Sequence, residues 1–441
     1  MTLLDNPRIC PRRLAALVLA LAIVLAVAAS APTGAASPPQ APFTPTLPKP
    51  TGPYAIGHTT LHLIDDDRGD PWMPDREREL MATVAYPARH AARYPRSRWF
   101  SPAVAESLEE SLAAPPTNAA PGSVDLARAR AHSRADAPAA RTPGRRTQGW
   151  PVVLFSPGGG SFREQNTALI EDLASRGYVV VSFDHTYETP VVEFPDGRLV
   201  SQLADFQSTD LKVLRVVFKR AIDARVADTR FVLDRLAELD RGRNPDAERR
   251  RLPPGLRGAL DLRRLGMFGY SYGGYTAGET MVNDRRIDAG VNLDGAMAHG
   301  FGISEDWPYL PGEVVTRGLD RPFMLFGNAR HNHLSTDPPP AGDPSWREFW
   351  SNQRGWKLDI TLRQSEHGSF SDLQVGGPQI ARALGLPPGT FEPLVGTIDP
   401  DRSIAAQRAY VAAFFDLHLR QRDYQLLDGP SPAYPEIEFV R

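Results

Sequence analysis

The chain of 441 residues is 41% apolar and 23% charged, a globular composition with enough length to bury a large core. Lys and Arg number 50 against 52 Asp and Glu, which excludes the basic footprint of a nucleic-acid binder and any strong attraction to an anionic membrane. Residues 1–36 read as a secretory signal peptide: Arg8, Arg12 and Arg13 precede an apolar run over 14–29 that falls short of a bilayer span. Cleavage is expected after Ala28 or Ala36, and the Arg12-Arg13 pair also fits twin-arginine export. The mature protein is then expected to be secreted, with no membrane span left. The single cysteine, Cys10, would depart with the signal, so no disulfide is expected.

Residues 37–53 are rich in Pro, Ala and Thr and read as a linker, followed by one α/β domain over 54–421 and a C-terminal tail over 422–441. A first strand pair is predicted at 56–65 and 79–88, where β-branched and apolar residues alternate with polar ones. Between them stands Arg68-Gly69-Asp70, a tripeptide used in cell adhesion, although Asp70-Pro71 is also an ordinary turn signal. The Ala-, Arg- and Pro-rich stretch 113–147 has few large apolar side chains to repay its ordering entropy and is expected to be a mobile insertion. A second insertion, the charged run 240–251, is expected to form a solvated face or loop and to be mobile as well.

The rest of the chain alternates strands and helices. "WPVVLFSPGGG" is a buried strand opening into a glycine loop, "NTALIEDLASRG" an amphipathic helix closed by Gly177, and "YVVVSFDH" another buried strand. A long helix or two follows over 210–239, then the strands "LGMF", "AGVNLD", "PFMLFG" and "KLDITLR", and a last helix near 403–419 striped by Ile404, Val411, Phe414 and Phe415. Continuous Val-rich strands suit a mostly parallel sheet covered by helices on both faces.

"GYSYG" at 269–273 is Gly-x-Ser-x-Gly between a predicted strand and a helix-compatible segment, the setting of a nucleophile elbow in an α/β-hydrolase fold. A serine on so sharp a turn is strained and crowded, so glycines flank it. The candidate nucleophile is Ser271. In that fold the acid and then the histidine follow the serine, each at a strand's C-terminal end, which selects Asp294 and His367, with Asp337 as the rival acid. Among the other histidines, His185 precedes the serine, His331 and His333 lie in the loop of the rival acid, and His418 is on the last helix. The Tyr272 N–H at the helix start and the Gly159 N–H in "SPGGGS" are the candidate oxyanion donors. The adjacent His331 and His333 lack a placed carboxylate to complete a metal site, and no metal or organic cofactor is expected. Trp99, Phe100, Trp307, Trp346, Phe349 and Trp350 are read as core or loop anchors in preference to a lipid-contact surface.

The segments "PVVLFSPGGGSFRE", "DLASRGYVVVSFDH", "GYSYGG", "VNLDGAM" and "HGSFSD" resemble the platelet-activating factor acetylhydrolase family, its secreted type and bacterial relatives. The resemblance extends over most of 51–419. It implies Ser271, Asp294 and His367 as the triad, Gly159 and Tyr272 as the oxyanion amides, and matches at Phe370 and Asp372. Animal members carry His-Gly-Leu-Gly where this chain has Pro157-Gly158-Gly159-Gly160, and have other residues where it has Tyr270 and Tyr272, so the acyl preference is left open. The resemblance implies short-acyl or oxidised phospholipid esters as substrates and a transient lipid-interface contact; a carboxylesterase, lipase or polyester hydrolase and an inactive hydrolase-fold binding protein are the alternatives.

Overall fold

The computed structural model describes residues 41–143, 149–337 and 342–441, so the expected signal peptide, Cys10 and the start of the linker lie outside it. In chain order the elements begin with β1 (Ala55–Gly69), β2 (Glu77–Ala88), β3 (Arg96–Arg98), α1 (Pro102–Ser111) and β4 (Arg130–Ala135). Then come β5 (Trp150–Ser156), α2 (Thr167–Ser175), β6 (Val179–Phe183), β7 (Val191–Glu193), β8 (Leu199–Ser201), α3 (Leu211–Asp240), β9 (Leu260–Tyr270) and α4 (Tyr272–Asn283). The last third holds β10 (Ala289–Leu293), β11 (Ala298–Phe301), β12 (Tyr309–Pro311), α5 (Glu313–Arg317), β13 (Phe323–Gly327), α6 (Ser345–Asn352), β14 (Lys357–Leu362), α7 (Leu373–Ala383), α8 (Glu392–Val395), α9 (Pro400–Arg420) and β15 (Ile437–Phe439).

Among the described residues one sheet has the order β15-β14-β13-β10-β9-β5-β6-β2-β1-β4-β3. Its centre, β6-β5-β9-β10-β13-β14, is parallel throughout, while β2 and β15 flank it antiparallel. The parallel strands are buried on both faces. Val152 and Leu154 of β5 point into a core shared with Val232, Leu233 and Leu236 of α3, whereas Val153 and Phe155 point into a second core with Leu169 and Leu173 of α2 and Phe414 and Phe415 of α9. This is the helix-covered α/β-hydrolase architecture.

The 30 residues of α3 form one helix, opened by the Asp210 carboxylate accepting the Lys212 N–H at 2.9 Å. Its buried face carries Arg225, Asp228 and Thr229 among Leu214, Phe218, Ile222 and Val232. Polar groups at such positions need partners.

Three stretches depart from the sequence expectation. Residues 113–143 pack instead of staying apart: β4 pairs parallel with β1, and Leu126, Ala129, Ala131, Ala137 and Ala139 are buried. Small side chains fit here because backbone pairing and the Glu171 carboxylate, which accepts the His132 and Ser133 N–H groups at 2.9 and 2.6 Å, supply what large side chains do not. The described part of the Pro-rich linker is a strap: Leu47 is buried, and Arg408 of α9 donates to the Pro48 and Lys49 carbonyls, both at 3.0 Å. The tail over 422–441 ends in β15, an edge strand on β14. The charged run after α3 is a loop, anchored by buried Asp246, which accepts the His62 N–H at 3.1 Å.

Candidate active site

All of the candidate residues leave the C-terminal edge of the parallel sheet, where such sheets present their clefts. β5 ends at Ser156 and opens into the loop at 157–160, β9 ends one residue before Ser271, β10 ends one residue before Asp294, and the loop after β14 carries His367.

Ser271 has φ 55° and ψ −124°, a left-handed conformation that L side chains avoid. The surrounding packing enforces it. The Ser271 N–H donates to the Leu293 carbonyl at 2.8 Å, and its own carbonyl accepts the Gly274 N–H at 2.8 Å. A Cβ at Gly269 would lie 2.0 Å from the Gly273 carbonyl oxygen, and one at Gly273 would lie 1.9 Å from that of Ser156. Only glycine fits at either place, so the turn brings β5, β9 and α4 together under the serine.

The three side chains form one hydrogen-bonded chain. Asp294 is buried and its carboxylate can only accept, so the His367 Nδ1–H donates to its Oδ2 at 2.6 Å. That leaves a lone pair on Nε2, 2.9 Å from Ser271 Oγ, where the hydroxyl donates. The His367 side chain is 25% exposed and that of Asp294 only 1%, so solvent reaches the imidazole and not the carboxylate. The Tyr270 ring lies against the imidazole with centroids 4.9 Å apart. Asp337, the rival acid, is exposed, and the partner of His367 is Asp294.

The loop after β13 contributes residues that the sequence reading did not single out for this chemistry. The Asn328 N–H and Nδ2–H donate to the two Asp294 oxygens, both at 2.9 Å. His331 Nδ1 lies 3.1 Å from Asp294 Oδ1 and its Nε2 lies 2.9 Å from Asp343 Oδ2, with the ring stacked on Trp346 at 3.9 Å. Burial opposes the charge on Asp294, but hydrogen bonds from His331 and His367 hold it well below the usual carboxylate range. Burial likewise opposes the charge on His331, but its bonds to Asp294 and Asp343 push its pKa up to about 10. The signal was a histidine in the loop where this fold often keeps its acid.

Around His367 the chain is pinned at both resembling positions. Phe370 is buried against Phe326, and the Asp372 carboxylate accepts the Ala168 N–H near the start of α2 at 3.2 Å. Gln165 joins the two loops of the site: its carbonyl accepts the Asp372 N–H at 2.8 Å, and its Oε1 accepts the Gly158 N–H at 3.0 Å.

With the Gly158 N–H occupied, Gly159 is left with an N–H that meets no protein acceptor among the described residues. The Tyr272 N–H begins α4, where no carbonyl lies one turn back. The two residues adjoin, since a Cβ at Gly159 would be 3.6 Å from the Tyr272 Cβ. Two unspent amides beside a hydroxyl bonded to an imidazole can stabilise an oxygen that gains negative charge when the hydroxyl attacks a carbonyl.

Apart from Trp346 under His331, the other residues weighed from the sequence sit away from this chemistry. His185 is fully buried, with Nε2 3.0 Å from Ser156 Oγ and Nδ1 2.9 Å from Asp228 Oδ2. Asp70 is buried on Arg78 at 2.8 Å, and Arg68 binds Asp65 and Asp228 at 2.8 and 2.6 Å, so the Arg-Gly-Asp tripeptide displays no carboxylate. Trp99, Phe100, Trp307, Trp346 and Phe349 are buried, and Trp350 stacks on His333 at 4.0 Å.

A family model described as platelet-activating factor acetylhydrolase, isoform II, matches residues 45–307. A probable 1-alkyl-2-acetylglycerophosphocholine esterase of Arthroderma benhamiae is 30% identical over 418 residues, covering 89% of this chain and 93% of its own. The platelet-activating factor acetylhydrolase of Bos taurus is 24% identical over 297 residues, covering 64% of this chain and 60% of its own. Among solved structures, a ferulic acid esterase from Streptomyces cinnamoneus superposes with a TM-score of 0.68 at 36% identity, over 90% of this chain and 99% of its own.

Proposed function

The chain belongs to the platelet-activating factor acetylhydrolase isoform II family of carboxylic ester hydrolases, and from that premise we propose that it hydrolyses short-acyl or oxidised phospholipid esters through a serine acyl-enzyme. The observation that carries the mechanism is the connected chain Ser271 Oγ to His367 Nε2 at 2.9 Å and His367 Nδ1 to Asp294 at 2.6 Å. As Ser271 Oγ attacks the ester carbonyl, its proton passes to His367 Nε2, and the Gly159 and Tyr272 N–H groups receive the oxyanion. Collapse breaks the ester C–O bond, and the departing alkoxide takes the proton from His367. Water then attacks the acyl-enzyme, losing its proton to His367, which returns it to Ser271 as the acid product leaves. Asp294 holds the imidazole in the tautomer that both half-reactions need.

The substrate assignment rests on the names of the fungal and bovine relatives. A second reading, an aryl ester such as a hydroxycinnamate, is favoured by the ferulic acid esterase, which covers more of the chain at higher identity than the bovine relative. Secretion follows from the signal-peptide reading of residues 1–36, and N-terminal sequencing of exported protein would test it.

The deciding experiment compares kcat/KM of the mature protein and Ser271→Ala on a 2-acetyl glycerophospholipid, p-nitrophenyl esters from acetate to palmitate, and methyl ferulate. The proposal expects a preference for the acetyl phospholipid and loss of about 10⁴-fold or more in kcat for Ser271→Ala. A preference for methyl ferulate would replace the substrate assignment. Undiminished turnover by Ser271→Ala would remove the mechanism.

A further inference from the structure

The peptide between Gly158 and Gly159 carries the N–H assigned above to the oxyanion site, and its orientation is set from behind. Arg225 is fully buried, at the middle of α3. Its Nη1 donates to the Pro157 carbonyl at 2.7 Å and its Nη2 to the Gly158 carbonyl at 3.1 Å, while Nε donates to buried Glu188 at 2.7 Å. In a trans peptide the C=O and the following N–H point in opposite directions. Fixing the Gly158 carbonyl on Arg225 therefore turns the Gly159 N–H away from α3. The guanidinium carbon also sits 5.2 Å from the centroid of the Tyr272 ring, the residue that supplies the second N–H. One side chain thus touches the structure behind both donors.

A second anchor comes from the same turn of the helix. Asp228, three residues on, accepts from His185 Nδ1–H at 2.9 Å, and His185 Nε2 accepts the Ser156 hydroxyl at 3.0 Å at the root of the loop. This is the connectivity of a catalytic triad, but Ser156, His185 and Asp228 are all fully buried and serve as a brace. Arg78 and Arg68 neutralise Asp228 at 2.6 Å each, so the brace has a fixed charge. Helix α3 spaces Arg225 and Asp228 at i and i+3, which puts both on one face under the loop.

We propose that Arg225 is the positioning residue of the oxyanion site, holding the Pro157 and Gly158 carbonyls so that the Gly159 N–H meets the charge that develops in the transition state. This rests on the acyl-enzyme reading above. Its signature is selective: an oxygen that becomes an anion loses stabilisation, whereas a ground-state ligand of the same shape does not.

The test uses Arg225→Lys, which keeps the cation beside Glu188 but loses the two-pronged grip. The double variant Arg225→Met/Glu188→Met also removes the charge that would otherwise be left buried and unpaired. Each is compared with wild type for kcat and KM on p-nitrophenyl acetate. Inhibition is then measured with a trifluoromethyl ketone, which adds to Ser271 as a tetrahedral oxyanion, and with the corresponding carbinol, which cannot. The expected result in either folded variant is a fall in kcat of about 10–100-fold, less than the loss of a whole donor, with KM within about twofold. Affinity for the ketone should fall by the same factor as kcat, and affinity for the carbinol should hold. Unchanged kcat and ketone affinity would overturn the proposal, as would equal loss of ketone and carbinol, which marks general damage to the cleft. The Ser271→Ala control separates the two levels: turnover surviving there refutes the acyl-enzyme reading itself, whereas turnover lost there but intact in Arg225→Lys refutes only the role of Arg225.

Discussion

His331 puts a second imidazole on the carboxylate that holds His367. Both of its ring nitrogens face carboxylate oxygens, Asp294 at 3.1 Å and Asp343 at 2.9 Å, and a neutral ring has only one N–H to give. The ring is therefore held as an imidazolium, in agreement with a pKa pushed up to about 10 from 6.5 by those two bonds against the effect of burial. A group raised in this way contributes stability that is full below pH 6.5 and is lost as the pH climbs through about 10. Thermal unfolding should thus show wild type losing more stability between pH 7 and 10 than His331→Gln, with the variant less stable than wild type at pH 6. Parallel curves would show that the ring is neutral. On the proposed mechanism, the same substitution removes a cation near His367, so the acid limb of kcat/KM should move to higher pH in His331→Gln; a profile identical to that of wild type would count against electrostatic coupling. Local sequence could propose Ser271, Asp294 and His367 because each follows a strand and sits in a recognisable turn. His331 reaches Asp294 only because β10 and β13 are neighbours in the sheet, a relation that no window of sequence contains.

Glycines separate what the elements need from what they tolerate. At Gly273 an added Cβ would meet the Ser156 and Pro157 carbonyl oxygens at 1.9 and 2.7 Å, backbone atoms that cannot rotate aside. Gly273→Ala should cost about 1–3 kcal/mol by overpacking and, by pushing on the loop that carries Gly159, should abolish esterase activity. At Gly376, inside α7, the nearest atom to an added Cβ is the Trp99 ring at 3.9 Å, an ordinary contact. Gly376→Ala should raise stability by about 0.5–1 kcal/mol and leave kcat unchanged, because it removes backbone freedom from the unfolded chain at no steric cost. Urea unfolding with an ester assay on the same samples checks both. The contrast also explains which elements were legible. Apolar runs such as "WPVVLF" and the 3.6-residue period of α9 declare themselves, whereas β4 is "RAHSRA", whose burial depends on alanines fitting close to a neighbouring strand and on Glu171 arriving from α2. Likewise nothing local marks Arg225 and Asp228 within a helical segment rich in charge; only the packing of α3 turns them onto the loop after β5 and onto His185.

At the scale of the molecule, both ends of the described chain meet α9, and α9 in turn holds the turn that carries His367. On one side Arg408 grips the strap through Pro48 and Lys49 at 3.0 Å; on the other, the Tyr410 ring packs against Tyr434 and Phe439, which flank and enter β15. Between them the Gln407 side chain donates to the Ser369 carbonyl at 2.8 Å, two residues after His367. The tail thus supports, through α9, the turn that carries His367. Ending the chain at Pro430 would remove β15, strip Ile437 from the core and break the bonds of the Arg363 N–H to Glu436 at 2.8 Å and of the Val440 N–H to Asp359 at 3.0 Å. Burial of one Ile side chain contributes about 1.5–3 kcal/mol, so with the lost ladder bonds the truncated protein should be less stable by about 2–4 kcal/mol. It would also leave β14 as a bare edge, with unpaired N–H and C=O groups beside apolar Ile360 and Leu362, which invites pairing between molecules. The expected outcome is a lower midpoint of thermal inactivation and aggregation that grows with protein concentration. At low temperature and high dilution kcat should remain near that of the full chain, because the truncation leaves Gln407 and the 367–370 turn in place. A truncated protein with the full chain's thermal midpoint would show that β15 is an accessory strand and that α9 needs no support from the tail.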